Sequence, residues 1–149
     1  MAIGDRHPEF TLDDANELRR AIGESVRAIR RSEPTPEGQI EALGFLARDG
    51  AQSIAALARL RRVRHQSMSA TVADLEAQGL VERAADPSDA RGVLVSLTVA
   101  GSEMIAESRI RRSGRILEAA NRVLSPAERA TLATAAVALD KLCAALLAE

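Results

Sequence analysis

Apolar residues recur at helical spacing in the first part of the chain. Separations of four, four and three residues put four of them on one stripe of a helix: Leu18, Ile22, Val26 and Ile29. Thr11, followed three residues later by Asp14, is the expected N-terminal cap. The pattern therefore predicts a first amphipathic helix that begins just after Thr11.

Prolines and glycines predict where the next helices begin and end. Pro36 cannot lie inside a helix, so Thr35 is expected to be the N-cap of a second helix that has Pro36 at its first position and ends at Gly50. A third helix opens at Ser53, and a fourth closes at Gly79, a residue type that often terminates helices. The fourth helix is predicted to turn its apolar residues inward: Met68, Val72 and Leu75.

The β signal of the chain lies between residues 80 and 98. The segments LVERAA (80–85) and VLVSLT (93–98) flank DPSDARG (86–92), whose residue types favour turns. Alternation in the second segment is typical of a half-buried strand. The sequence therefore predicts a hairpin of two strands, which needs a helical body to rest on.

The chain is predicted to be helical after Thr98, with one break at LSPAE (124–128). Ser125 and Glu128 form the pattern of a capping box, with a proline at the first helical position. The last helix carries a heptad-like apolar seam: Leu132, Ala136, Leu139, Cys143 and Leu146. The predicted fold class is mainly α with a small β-hairpin.

Composition limits the functions that this chain can have. A length of 149 residues gives room for one domain and a dimerisation element. Phe10 and Phe45 are its aromatic residues, too few for a platform that stacks single-stranded bases. The net charge is −1, so any binding to DNA must depend on local clusters of basic residues.

Candidate catalytic groups are few. The histidines are His7 and His65, and the single cysteine, Cys143, falls on the apolar seam of the last helix, where a small buried thiol is typical. The sequence has no metal-ligand spacing, phosphate-binding loop or serine-nucleophile motif. We predict no enzymatic activity, no cofactor and no metal site. No segment is expected to approach the length of a membrane span, which favours a cytoplasmic protein.

The strongest functional signal is a cluster of arginines between the third and fourth helices, next to the hairpin. This order is the layout of a winged helix-turn-helix. Contacts to the DNA backbone are expected from the cluster and from the start of the third helix: Ser53, Arg59, Arg61 and Arg62. The exposed face of the fourth helix is expected to read bases: Arg64, His65, Gln66, Ser67, Ser69, Ala70 and Thr71.

The segment GLVERAADPSDARGVLVSLTVAG (79–101) resembles the wing of the MarR family of bacterial transcriptional regulators. These residues match the family pattern: Gly79, Arg83, Asp86, Pro87, Asp89, Arg91, Leu97, Thr98 and Gly101. The resemblance implies that Arg91 enters a minor groove, whose negative potential attracts arginine, and that Asp89 helps to orient it. Arg83 completes the predicted wing contacts.

The same resemblance implies a homodimeric regulator, expected to be a repressor, that binds double-stranded DNA at a pseudo-palindromic operator. Residues 1–34 would form a tail and dimerisation helix, 35–98 the winged helix-turn-helix, and 99–149 further dimerisation helices. The recognition helices would lie about 34 Å apart in the dimer. Members of the family often respond to small molecules. An effector pocket is expected by resemblance where the first, second and fifth helices meet, near Phe45 and Met104, residues that equally suit a plain core.

Departures from the family pattern keep an alternative open. Ala70 and Asp74 stand where many relatives carry arginines, and an acid at this place repels phosphate. The alternative is a winged-helix module that binds proteins and not DNA. A second basic cluster surrounds much of the fifth helix, where solvation or pairing between subunits is expected: Arg109, Arg111, Arg112 and Arg115.

Overall fold

The computed structural model describes residues 9–31 and 33–148, so His7 and most of the predicted N-terminal tail lie outside the described residues. In chain order the elements are α1 (Leu12–Arg30), α2 (Glu37–Asp49), β1 (Gln52–Ser53), α3 (Ile54–Arg61), α4 (His65–Ala77), β2 (Val81–Asp86), β3 (Asp89–Leu97), α5 (Val99–Val123) and α6 (Pro126–Leu147). The predicted mainly helical fold with a β wing is confirmed.

Local capping signals position most helix ends as predicted. The Thr11 side chain accepts a hydrogen bond from the Asp14 amide, and Ser125 forms the same capping box with Glu128. The prediction of Thr35 as the cap of α2 is wrong. The N-cap is Pro36, whose extended backbone (ψ 137°) delays the helix by one residue, and Thr35 is buried before it.

The sheet has three antiparallel strands in the order β1-β3-β2, so the prediction of a two-stranded hairpin was incomplete. Strand β1 pairs with β3 through Gln52–Val95 and Ser53–Leu94, and two residues are too few to give an alternating pattern. The predicted turn was also too long. The strands continue to Asp86 and from Asp89, because the Asp86 side chain accepts bonds from the Ser88 amide (2.8 Å) and hydroxyl (2.7 Å) and thereby closes a tight turn.

The hydrophobic core lies between α2, α3, α4, the sheet and the start of α5. The predicted inward positions of α4, Met68, Val72 and Leu75, are all fully buried. Their partners in the core are Ile40, Ala42, Leu43, Leu46, Leu57, Ala58, Val81, Val95 and Ile105. Helices α1 and α6 contribute no buried residue, and the last buried position of α5 is Ser108. Helices α1 and α6 therefore lie outside the core.

A close backbone contact joins the wing to α5. Thr98 caps α5 by accepting from the Gly101 amide (3.0 Å) and donates its hydroxyl hydrogen to the Gly79 carbonyl (2.7 Å). Gly101 lies against the Leu80 carbonyl, where any Cβ would collide with backbone atoms. The end of α4, the sheet and α5 are thus held in one orientation.

Helix α6 is longer and more apolar than expected. With 22 residues, Pro126–Leu147 has the length and composition that can span a membrane, so the expectation that no segment approaches this length is wrong. None of its residues is buried, and Cys143, expected to be a buried thiol, is exposed. The same composition suits a helix that packs between protein subunits.

Candidate nucleic-acid interface

The helix-turn-helix is closed by backbone hydrogen bonds at the end of α3. Arg62 has a left-handed backbone (φ 55°, ψ 43°), and its amide donates to the carbonyls of Ala58 and Arg59. The Val63 amide bonds to the Ala58 carbonyl at 3.0 Å, and its side chain packs against the core. This sharp turn lets α4 begin at His65, with Arg64 as an N-cap whose side chain makes no capping bond.

The outer face of α4 consists of small and polar residues, as predicted. His65, Gln66, Ser67 and Ala70 are exposed, whereas Ser69 and Thr71 are half-buried. The Thr71 hydroxyl donates to the Ser67 carbonyl at 3.1 Å. Exposed amide, imidazole and hydroxyl groups on one helix face are the groups that read base edges in a major groove.

The arginines of the turn fall into two classes. Arg59, Arg62 and Arg64 are exposed and form no ion pair within the described part of the chain. Arg61 instead turns toward α2, where its Nε lies 2.9 Å from a Glu41 carboxylate oxygen. Ser53 also has a local role, because its side chain caps α3 by accepting from the Ala56 amide at 3.1 Å. Three guanidinium groups therefore remain available beside α4.

The wing also has one exposed arginine and one arginine in an ion pair. Arg91 is exposed on β3, not in the turn where it was expected, and its amide donates to the Asp89 carboxylate at 3.0 Å. Arg83 pairs with Glu76 of α4 at 3.0 Å. Arg83 and Arg91 both line an open groove of 570 Å³ on the wing. Hydrogen bonds from Ser88 lower the pKa of Asp86, so an anion stays at the tip.

Glu33 joins the second basic cluster to the segment before α2. Its carboxylate accepts from the Ser108 hydroxyl (2.6 Å), Arg111 (3.2 Å) and Arg112 (3.1 Å). Burial by itself raises the pKa of Glu33, but these three hydrogen bonds together with the charge of Arg112 outweigh burial and hold the pKa below its ordinary value. Arg115 donates to the carbonyl oxygen of Ile29. Arg111 and Arg115 remain exposed, as expected for solvated side chains, but the expectation did not include these contacts within the chain.

Sequence reasoning missed the acids that bind these arginines. Glu33, Glu41 and Glu76 pair with arginines on other elements, and no local spacing signals such partners. The only available signal was helical phase, which puts Ser108, Arg111 and Arg112 on one side of α5.

Two cavities lie near the expected effector site. The junction of α1, α2 and α5 holds only about 100 Å³, between side chains that include Arg30, Glu33 and Glu41. A larger, open cavity of 480 Å³ lies between α2, α3 and α5 and is lined by Phe45, whereas Met104 packs against the core. Among the described residues, no group of three or more histidine, cysteine or acidic side chains is placed to hold a metal ion.

A helix-turn-helix with exposed polar residues on its second helix and an arginine-bearing wing defines a DNA-binding transcriptional regulator of the winged-helix class. The MarR family model matches residues 34–92. An uncharacterized HTH-type transcriptional regulator of Mycobacterium bovis is 37% identical over 107 residues, covering 70% of this chain and 75% of that protein. The chain belongs to the MarR family.

Solved structures share this fold over most of the chain. A crystal structure described as that of a transcriptional regulator from Pseudomonas aeruginosa has a TM-score of 0.78 and 31% identity, covering 89% of this chain and 97% of its own. A MarR family protein from Bacillus stearothermophilus has a TM-score of 0.72 at 21% identity, covering 96% and 99% of the two chains. The similarity extends to α1, α5 and α6, beyond the residues that the family model matches.

Proposed function

We propose that this protein is a homodimeric transcriptional repressor that acts in the cytoplasm and binds a pseudo-palindromic operator. The recognition helix α4 would read bases in successive major grooves, and Arg91 would enter the adjacent minor groove. The observation that carries the proposal is the set of exposed guanidinium groups on the winged helix that form no ion pair among the described residues: Arg59, Arg62, Arg64 and Arg91.

Exposed apolar side chains outside the core support the dimer. They lie on α1, α5 and α6, where an isolated chain would leave them in water: Leu12, Ile22, Val26, Ile110, Ile116, Leu117, Val123, Leu132, Val137, Leu142, Leu146 and Leu147. An apolar groove of 410 Å³ runs between the same three helices. Large exposed apolar patches mark interaction sites. A second copy is the proposed partner because a two-fold axis covers the same patch on both chains.

A small-molecule effector is part of the proposal. The 480 Å³ cavity beside Phe45 supports it, since ligand sites in proteins commonly have volumes of this order. It lies against both α3 and α5, so a bound molecule would contact the DNA-reading unit and the proposed dimerisation helices together.

The proposal is tested by a gel shift with the DNA upstream of the protein's own gene, at two salt concentrations. We expect two chains per duplex and much weaker binding to a duplex with one half-site removed. Leu142→Asp combined with Leu146→Asp should give a monomer in light scattering and abolish the shift. Val99→Asp places one acid at an exposed apolar residue in the first turn of α5, which adjoins the winged-helix core and not α6, and this variant should remain a dimer. Loss of the gene should raise expression from the operator in a reporter strain.

Two observations favour a second function, that of a winged-helix module that binds protein. Asp74 is exposed on α4 and the whole chain has a net charge of −1, both unfavourable for binding to DNA. This alternative predicts no shift of any upstream duplex even at low salt.

A further inference from the structure

The guanidinium group of Arg61 packs closely against α2. Its Nε lies 2.9 Å from Glu41 Oε2, and its side chain is 23% exposed. The planar group rests on Gly38, where an added Cβ would come within 2.9–3.0 Å of Nη2, Cζ and Nη1. The Cα of Gly38 on one side and the carboxylate of Glu41 on the other hold Arg61, the last residue of α3, against the first turns of α2.

The same carboxylate also binds α1. Glu41 Oε1 accepts a hydrogen bond from Arg30 Nη2 at 3.1 Å, and Arg30 pairs with Glu37 as well. One carboxylate therefore bridges α1 and α3, with one oxygen to each guanidinium. A shared carboxylate of this kind links the two arginines, because each charge-assisted hydrogen bond is lost if its arginine moves away from Glu41.

Because of the position of Arg61, this bridge affects the direction of the recognition helix. Arg62, the next residue, has the left-handed backbone that begins the turn into α4. Any rotation of the end of α3 relative to α1 therefore changes the direction of the recognition helix. In the proposed dimer α1 belongs to the shared base, so the bridge restrains how far apart and at what angle the two recognition helices lie.

We infer that Arg61 and Glu41 are positioning residues for DNA binding, which set the spacing of half-sites that the dimer accepts and do not themselves contact phosphate. This inference rests on the proposed function. A phosphate contact by Arg61 would require it to leave both Glu41 and Gly38, whereas Arg59, Arg62 and Arg64 reach outward without losing a partner among the described residues.

The test compares Glu41→Gln, Gly38→Ala and the matched control Glu37→Gln with the wild type. Glu37 and Glu41 lie one turn apart on α2 and both bind Arg30, but only Glu41 binds Arg61. If only the net charge of the protein matters, removal of either carboxylate should tighten binding to DNA. Dissociation constants are measured for the natural operator and for operators with one or two base pairs added to or removed from the spacer, together with the slope of log Kd against log salt concentration.

We expect Glu41→Gln and Gly38→Ala to weaken binding to the natural operator, roughly three- to fivefold, and to reduce the preference for its spacing, with the salt slope unchanged. Gly38→Ala is informative because it alters no charge and displaces only the flexible end of Arg61. Glu37→Gln should keep the preference for spacing. Light scattering and circular dichroism verify that each variant is a folded dimer.

Tighter binding by Glu41→Gln, or an unchanged preference for spacing in both Glu41→Gln and Gly38→Ala, would overturn the inference and leave the proposed function intact. A wild-type protein that shifts no upstream duplex would overturn both.

Discussion

Asp89 binds the backbone of Arg91 and not its guanidinium group: its carboxylate accepts a hydrogen bond from the Arg91 amide at 3.0 Å. The family resemblance implied that Asp89 orients the arginine, and the observed bond from Asp89 reaches the backbone of Arg91. The carboxylate restrains the backbone at the start of β3, while the Arg91 side chain stays exposed. An arginine whose backbone is restrained and whose guanidinium group is free loses less conformational entropy when it enters a DNA groove.

Arg91→Ala should weaken binding to the operator by roughly tenfold, because the minor-groove contact is lost while the fold and the dimer stay intact. Titration by fluorescence anisotropy at fixed salt measures the change. Arg122→Ala, which removes an exposed arginine at the far end of α5, is the matched control and should bind like the wild type. Equal dissociation constants for Arg91→Ala and Arg122→Ala would remove the wing from the mechanism.

Arg59→Ala and Arg62→Ala should each reduce the slope of log K against log salt by up to roughly one, since each loses a phosphate contact. Arg61→Ala should leave the slope unchanged, because that side chain is bound to Glu41. Gel shifts at four or more salt concentrations give the slopes. If Arg61→Ala changed the slope as much as Arg62→Ala, the division of the turn arginines into two classes would be wrong.

Glu33→Gln should lower the free energy of unfolding at pH 7 by about 2 kcal/mol, because a side chain that is 5% exposed loses charge-assisted bonds to Arg111 and Arg112. The pKa of Glu33 is lower in the folded state than its ordinary value of 4.5, so its stabilising contribution is full above that pH. The contribution is lost as the pH falls below 4.5 toward the folded-state pKa.

Urea unfolding of Glu33→Gln and wild type at a series of pH values, at one protein concentration, measures this dependence. The difference in the free energy of unfolding between the two proteins should become smaller at acidic pH. Glu118→Gln, whose exposed carboxylate lies 3.9 Å from Arg122, serves as the control and should have little effect at any pH. A difference that stays constant down to pH 3 would contradict the assignment to Glu33.

Gly101→Ala should destabilise the protein by about 2–3 kcal/mol, because its Cβ would collide with the Leu80 backbone, which cannot move without disrupting the sheet. Gly44→Ala in α2 is the matched control. Nothing lies within 4 Å of a Cβ at Gly44, so alanine should stabilise the helix by about 0.5–1 kcal/mol. Thermal unfolding of the two variants should therefore move the Tm in opposite directions, and a neutral Gly101→Ala would refute the close contact.

Local signals in the sequence predicted most elements correctly. The capping boxes at Thr11 and Ser125 depend on residues three positions apart, and the inward face of α4 follows from helical periodicity. Predictions failed where neighbours distant in sequence decide the outcome. Strand β1 exists because β3 lies beside Gln52 and Ser53, and the two residues carry no pattern of their own.

The amino-acid sequence by itself determined the helices, the wing and the concentration of arginine beside the fourth helix, because these depend on residue types and on spacings within one element. Only the tertiary structure decided which arginines are free. Arg61 and Arg83 are bound by Glu41 and Glu76, whereas Arg59, Arg62 and Arg91 extend into solvent. The physical reason is that an ion pair depends on distance in space, and Arg61 meets a carboxylate from a residue 20 positions earlier only after the helices have packed.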